Sequence, residues 1–330
     1  MDLTIKELKT SLENEGYICD DELVITVFLA LKLGKPLLVE GAPGVGKTEI
    51  AKVLAKIFNT DLIRLQCYEG LDENKALYEW NYQRQLIKIQ LSRDTEPGSI
   101  EERGHTSLAE MSPIIERNLF SEDYLLERPL LQAIRSEKQV VLLIDEVDKV
   151  EAEFEAFLFE VLSDFQVSIP ELGTVKARHI PIVVLTSNGE RELSDGLKRR
   201  CVYLYIDFPS IEKESRILQV KVPEAGLEIT KQIANIANYI RNNLNLRKKP
   251  SIAETIDWAK ALSALDETEV TVDNIKNTLN IFLKNKDDQQ IFVSEMNIND
   301  LVKKAAGEIK PAKSANLHGC SCRFHDHQHK

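Results

Sequence analysis

Nowhere in this chain of 330 residues does an apolar run approach the ~20 residues that a membrane-spanning helix requires. The N-terminus, Met1-Asp-Leu-Thr-Ile-Lys6, lacks the charged-then-apolar form of a secretory signal. Both absences lead to the expectation of a cytoplasmic protein. Positive charge is also short, with 42 Lys and Arg against 53 Asp and Glu and a formal net charge of −11. That balance argues against a broad grip on nucleic acid and leaves only a local basic groove as a route to one. No internal repeat is visible, so a helical solenoid is not indicated. Cysteine is sparse, and Cys19, Cys67 and Cys201 lie far apart in apolar surroundings, where they read as small core hydrophobes. What is present is 43% hydrophobic content, which supports a globular fold, and a length that suits about two domains.

Against this ordinary background one segment stands out. Gly41-Ala-Pro-Gly-Val-Gly-Lys47-Thr48 spells G-x-x-x-x-G-K-[ST], the Walker A pattern. Before it, Lys35 to Glu40 reads as a short buried strand. After it, Thr48 to Phe58 places Ile50, Val53, Leu54 and Ile57 on one helical face. A phosphate cradle needs that strand, loop and helix context. Gly41, Gly44 and Gly46 permit a turn whose N–H groups face inward, and the helix N-terminus adds partial positive charge. The candidate nucleotide-binding residues are Gly41, Ala42, Pro43, Gly44, Val45, Gly46, Lys47, Thr48 and Glu49. Lys47 suits the β and γ phosphates, and the Thr48 hydroxyl suits Mg²⁺.

About a hundred residues later, Gln139-Val-Val-Leu-Leu-Ile-Asp145-Glu146 is a buried-strand run ending in two carboxylates, the Walker B pattern. Asp145 suits the Mg²⁺ shell, and Glu146 suits deprotonation of an attacking water. Between these motifs the sequence predicts a strand over Asp61–Cys67 and a solvated loop from Ser92 to Met111. A helix is predicted through Tyr124–Ile134, with Pro129 in its first turn. A further strand, His179–Asn188, ends in a polar amide at the same expected sheet edge, so Asn188 can meet the same water. Leu197-Lys-Arg199-Arg200-Cys precedes another strand, Val202–Phe208. From Ser210 to about Gly307 the pattern is helical, with helices expected at Glu214–Val220, Thr230–Asn243, Ile252–Leu262 and Val272–Leu283. The expected fold is α/β, a parallel sheet carrying the phosphate loop followed by a small helical lid.

This ordered set, from about residue 15 to 305, resembles an AAA+ ATPase, and more narrowly a MoxR-type one. The resemblance implies sensor 1 at Asn188 and an arginine finger at Arg199 or Arg200, with Arg199 the better match. A finger completes the site of a neighbouring subunit, which implies a homo-oligomer, a hexameric ring. Phe165 to Lys176 resembles the insert of that clade, a hairpin interrupting the Walker B helix Lys149–Asp164 and a candidate client contact. Gln66–Asp72 with Ala76–Leu86, and Arg247–Ala259, are similar to the CoxD-like branch, whose named member helps mature the metal centre of carbon-monoxide dehydrogenase. Relatives carry a sensor 2 arginine where this chain reads Pro250-Ser-Ile-Ala-Glu254, and Arg247, Lys248 or Lys249 are the candidates to replace it.

The implied organisation is a core over residues 1–209 with the hairpin at about 165–176, a lid over 210–307, and a tail over 308–330. That tail departs from the family pattern. Cys320, Cys322, His325, His327 and His329 follow His318, which puts six soft or borderline ligands within twelve residues. Alternate spacing in an extended chain allows a Cys₂His₂ set for Zn or Cu, while a solvated tail with adventitious affinity reads the same. The expected activity is Mg²⁺-dependent ATP hydrolysis that remodels a protein client or matures a metalloenzyme. The alternative is a nucleotide-gated binding switch with little turnover. A DNA motor shares the core, but no helix-turn-helix appendage is evident and no nucleic acid partner is expected.

Overall fold

The computed structural model describes residues 3–94 and 121–305. The expected loop beyond Asp94 and the whole Cys/His-rich tail lie outside the described residues. In chain order the elements are α1 Ile5–Asn14, α2 Asp21–Leu33, β1 Leu37–Gly41, α3 Lys47–Ile57, β2 Leu62–Gln66, α4 Glu73–Ala76, β3 Tyr78–Trp80 and α5 Tyr82–Asp94. After the gap follow β4 Leu125–Glu127, α6 Pro129–Arg135, β5 Val141–Asp145, α7 Ala152–Asp164, β6 Gln166–Ile169, β7 Gly173–Lys176, β8 Ile182–Ser187, α8 Asp195–Arg200 and β9 Val202–Ile206. The helical remainder comprises α9 Ile211–Lys221, α10 Leu227–Asn243, α11 Ile252–Ala264, α12 Val272–Phe282, α13 Lys286–Glu295 and α14 Ile298–Ala305. None of the helices is long and apolar enough to cross a membrane, among the described residues.

Five strands form one sheet in the order β2-β5-β8-β1-β9, all pairs parallel. Parallel strands buried on both faces read as continuous apolar runs, and β5 is the clearest case. Val141 and Leu143 pack on one side with Ile50 and Leu54 of α3, while Leu142 and Ile144 pack on the other with Leu130 and Leu131 of α6. Because the strands run parallel, the ends of β1, β5 and β8 lie side by side. There the sheet presents Gly41, Asp145 and Ser187, the last of them leading directly into Asn188.

The helical region has its own apolar cluster, built from α9 to α14 around Trp258, Phe282 and Phe292. Trp258 stacks on Phe282 at 4.4 Å and donates its indole N–H to Thr278 Oγ1 at 2.8 Å. Arg241 of α10 is buried beside Glu214 of α9, with bidentate contacts of 2.6 and 2.8 Å, and its Nε donates to the Pro250 carbonyl at 2.7 Å. Its guanidinium also lies 4.7 Å from the Phe208 ring, tying this cluster to the exit of β9.

Several expectations need correction. The helix expected from Tyr124 begins only at Pro129, and Leu125–Glu127 instead pairs antiparallel with Tyr78–Trp80. The residue before proline disfavours the helical region, and Arg128 has ψ 171, so the helix cannot extend backwards. Residues 92–94, expected in a loop, finish α5. The Walker B helix starts at Ala152, not Lys149. The hairpin does not interrupt it: Phe165 ends the helix in the left-handed region at φ 50, β6 and β7 pair antiparallel, and the chain then enters β8. Within the helical region α13 and α14 were not expected, nor were α1 and α2 ahead of β1.

Candidate active site

The loop after β1 turns through positive φ at Gly44 and Gly46, and Gly46 caps α3. Lys47 is thus the first helical residue, and its ammonium folds back into the loop. It donates to the Gly41 and Ala42 carbonyls at 2.8 and 2.9 Å and to Asn188 Oδ1 at 2.8 Å. Burial pushes this ammonium below the usual lysine range, against the pull of Asp148, Asp145 and Glu146. The two motifs meet directly where Thr48 Oγ1 donates to Asp145 Oδ1 at 3.0 Å.

Asp145 is buried, and its carboxylate is held by side chains from α3, β2 and β8. Thr186 of β8 donates to its Oδ1 at 2.5 Å, and Arg64 of β2 donates to its Oδ2 at 2.5 Å. Parallel register places Gln66 beside Asp145, so Arg64 and Gln66 share the face that reaches these carboxylates. Gln66 Nε2 donates to Glu146 Oε2 at 3.1 Å, and Lys149 donates to the same oxygen at 2.6 Å. Glu146 itself sits at φ 58, a left-handed conformation that non-glycine residues adopt mainly when the surroundings hold them. Its amide donates to Thr186 Oγ1 at 2.9 Å, which supplies part of that hold.

Asp148 fixes the opposite wall. Its Oδ2 accepts the Asn188 and Glu190 amides at 3.1 and 3.0 Å, which aims the Asn188 side chain at Lys47. Its buried Oδ1 has no hydrogen-bond partner among the described residues. Arg64, Gln66, Asp148 and Thr186 were missed by sequence reasoning. Asp148 lies two residues past Glu146, Thr186 two before Asn188, and Gln66 opens the segment Gln66–Asp72, yet none of them was given a role in the site.

Lys47, Thr48, Asp145, Glu146, Thr186 and Asn188 line the polar end of a cavity of about 530 Å³, within the range of small-ligand sites. Pro43 to Glu49, Asp145, Glu146 and Asn188 line it, whereas Gly41 and Ala42 contribute through their carbonyls to Lys47. The other end is apolar, with Tyr17 and Ile18 from the α1–α2 connection, Ile206 at the end of β9, and Ile217 and Ile256 from the helical region. A flat aromatic base fits such walls. The helical region also touches the phosphate loop, where the Ala253 amide donates to the Gly44 carbonyl at 3.3 Å. Lys221 of α9 pairs with Glu49 of α3 at 3.2 Å.

None of Arg247, Lys248 and Lys249 lines the cavity; Lys213, Lys221 and Lys260 are the cations that the helical region brings to it. Arg199 and Arg200 do not line it either. Both are exposed on α8, and Arg200 lies 5.0 Å from the Phe159 ring. Cys320, Cys322, His325, His327 and His329 lie outside the described residues. Among the described residues no group of three or more His, Cys, Asp or Glu is placed to hold a metal ion by itself. Thr48 and Asp145 offer hard oxygen donors that converge within one hydrogen bond, a donor set that suits Mg²⁺ shared with phosphate oxygens.

The profile of the AAA domain (dynein-related subfamily) matches residues 36–201. The gas vesicle ATPase GvpN of Haloferax mediterranei is 23% identical over 253 residues, covering 73% of this chain and 66% of that protein. The chaperone protein ClpB of Bacillus cereus is 26% identical over 179 residues, covering 54% of this chain and 16% of that protein. The chain thus spans just under two thirds of the first relative and a small part of the second. Among solved structures, Thermotoga maritima RuvB matches at a TM-score of 0.47 and 16% identity, over 88% of this chain and 83% of that one. With the family profile covering half of the sequence, including both phosphate-site motifs, the chain belongs to the AAA domain family, dynein-related subfamily.

Proposed function

We propose that the chain is a Mg²⁺-dependent ATPase that converts hydrolysis into remodelling of a protein client. The observation that carries this reading is the convergence of Lys47, Thr48, Asp145, Glu146 and Asn188 at the polar end of a cavity whose apolar end is partly built by the helical region. In this reading residues 1–209 are the catalytic core and 210–307 a lid. Lys47 binds the β and γ phosphates, and the loop amides cradle them. Thr48 and Asp145 hold Mg²⁺, which when bound neutralises phosphate charge. Glu146 takes the proton of the attacking water, and Asn188 orients that water. Contact between the Ala253 amide and Gly44 gives the lid a direct link to the phosphate loop, so nucleotide state can alter the angle between the two regions.

Lys47→Ala should abolish nucleotide binding, while Glu146→Gln should bind ATP and hold it unhydrolysed. Phosphate release and binding of a fluorescent ATP analogue measure the two. Parent-rate hydrolysis by Glu146→Gln would remove the base assignment. One observation favours the switch alternative: Lys149 and Gln66 both occupy Glu146 Oε2, so the base is restrained in this conformation. Turnover that stays negligible with every partner supports a switch, and partner-stimulated turnover supports a remodeller.

The finer reading is a hexameric ring whose client is a metalloenzyme of the carbon-monoxide dehydrogenase type. Its support is the sequence similarity of Gln66–Asp72, Ala76–Leu86 and Arg247–Ala259 to the CoxD-like branch. Zn or Cu at Cys320, Cys322, His325, His327 and His329 would belong to that role, on the strength of ligand spacing alone. Metal titration of the full chain against a chain ending at residue 310 tests it, and equal affinity would dismiss the tail site.

A further inference from the structure

A second cleft, of about 770 Å³, lies away from the nucleotide cavity and shares none of its lining residues. Its walls are unusually aromatic for an exposed site. Tyr78 and Trp80 stand on the same face of β3, edge to face at 6.1 Å, and Trp80 is anchored in the core. Tyr82, at the start of α5, and Tyr68, after β2, complete the walls and are 60% and 45% exposed. Exposed tyrosines clustered on a firm base, rather than scattered singly, are a feature of binding surfaces.

The charges around it are unevenly balanced. Arg128 is paired with Glu79 at 2.5 Å, and Lys75 with Asp72 at 3.2 Å, so both cations of the cleft are already matched. Glu171, from the turn between β6 and β7, has no ion pair among the described residues. Burial raises the Tyr78 hydroxyl above its ordinary range, and the Glu171 and Glu73 carboxylates raise it further, which fits negative potential at this wall. Ring faces carry negative potential as well. Aromatic faces beside an unmatched carboxylate suit a guanidinium or ammonium group, and arginine in particular can stack on the rings while donating to the carboxylate.

We propose that this cleft takes an arginine or lysine side chain of the protein client, the cation held against the Tyr68, Tyr78 and Tyr82 rings and Glu171, with Trp80 as the buried support beneath them. The inference rests on the client-remodelling reading and names the chemistry of the contact. Because Glu171 sits on the hairpin that follows α7, it also gives that hairpin a defined role in recognition.

The test uses the full chain without nucleotide. Fluorescence anisotropy compares a labelled Gly/Ser peptide carrying arginines with its twin carrying glutamine at those positions. The parent should prefer the arginine peptide by about tenfold. Glu171→Gln and Tyr82→Ala, both surface changes, should each reduce that preference to about threefold or less while leaving thermal stability and fluorescent ATP analogue affinity unchanged. Equal affinity for the two peptides would overturn the proposal. So would a preference that survives in both variants, since it would then reflect only the overall negative charge. No hydrolysis is read, so loss of the peptide preference and loss of the ATPase assignment remain separate results.

Discussion

Gly44 and Gly46 have the same left-handed conformation but different neighbours, which separates two reasons for glycine in one loop. At Gly44 an added Cβ would meet Ser251 Oγ at 2.1 Å, whereas at Gly46 it would meet nothing within 4 Å. Gly46→Ala should therefore carry only the left-handed penalty of ~1–2 kcal/mol. Gly44→Ala should add a clash that displaces the N-terminus of α11 from the phosphate loop, lowering nucleotide affinity more than Gly46→Ala does. Ser251→Gly in the Gly44→Ala background should recover part of the loss, and titration with a fluorescent ATP analogue checks the order. The cysteines give a second residue-scale expectation. Burial pushes the thiols of Cys19, Cys67 and Cys201 up to about 11, 12 and 12, so each holds its proton at pH 8 and lacks the thiolate that alkylates. Mass spectrometry after iodoacetamide at pH 8 should find these three unmodified until the chain is denatured, and fast labelling of Cys67 would contradict its burial beneath Asp145.

The hairpin of β6 and β7 shows how an element's two faces divide its duties. Val167 and Ile169 are buried in the core cluster, while Gln166, Ser168, Glu171, Thr174 and Lys176 face solvent. Ile169→Ala should destabilise by ~2–5 kcal/mol, as a buried large-to-small change does. Alanine at the five solvent-facing positions should leave thermal stability and basal hydrolysis within about twofold, yet abolish partner stimulation. Full stimulation by that variant would make the hairpin merely structural. The same two-faced logic explains what could be foreseen. Walker A and Walker B were legible because each is a contiguous run with its own strand context, and Asn188 followed from the end of the next apolar run. Arg64 and Thr186 were not, because their contacts with Asp145 depend on β2 and β8 flanking β5 in a particular register. β4 was missed for a similar reason: its partner Tyr78–Trp80 is distant in sequence, and Leu125–Glu127 alone is too short to show alternation.

At the scale of the whole molecule the arginines of α8 are decisive. Arg199 is exposed and has no ion pair among the described residues, and Arg200 packs on Phe159 outside the nucleotide cavity. Neither can act on the nucleotide of its own chain in this conformation, so any catalytic role must be exerted on another copy. Arg241 ties the helical region to the sheet, because its buried pairing with Glu214 and its contact with Phe208 bind α9 and α10 to the exit of β9. Arg241→Ala should destabilise by ~3–5 kcal/mol through the stranded Glu214 carboxylate, uncoupling the helical region from the sheet before the sheet itself melts. Arg199→Ala, in contrast, should keep stability and ATP affinity while losing most turnover. Mixing it with Glu146→Gln is the sharper measurement. A site in the Arg199→Ala chain retains its base and can receive an intact arginine from a neighbouring Glu146→Gln chain, so the mixture should hydrolyse ATP faster than either variant alone. If the mixture is no faster than the sum of its parts, or if the chain remains monomeric with nucleotide and fully active, Arg199 does not complete a neighbour's site and each chain must hydrolyse ATP with its own residues.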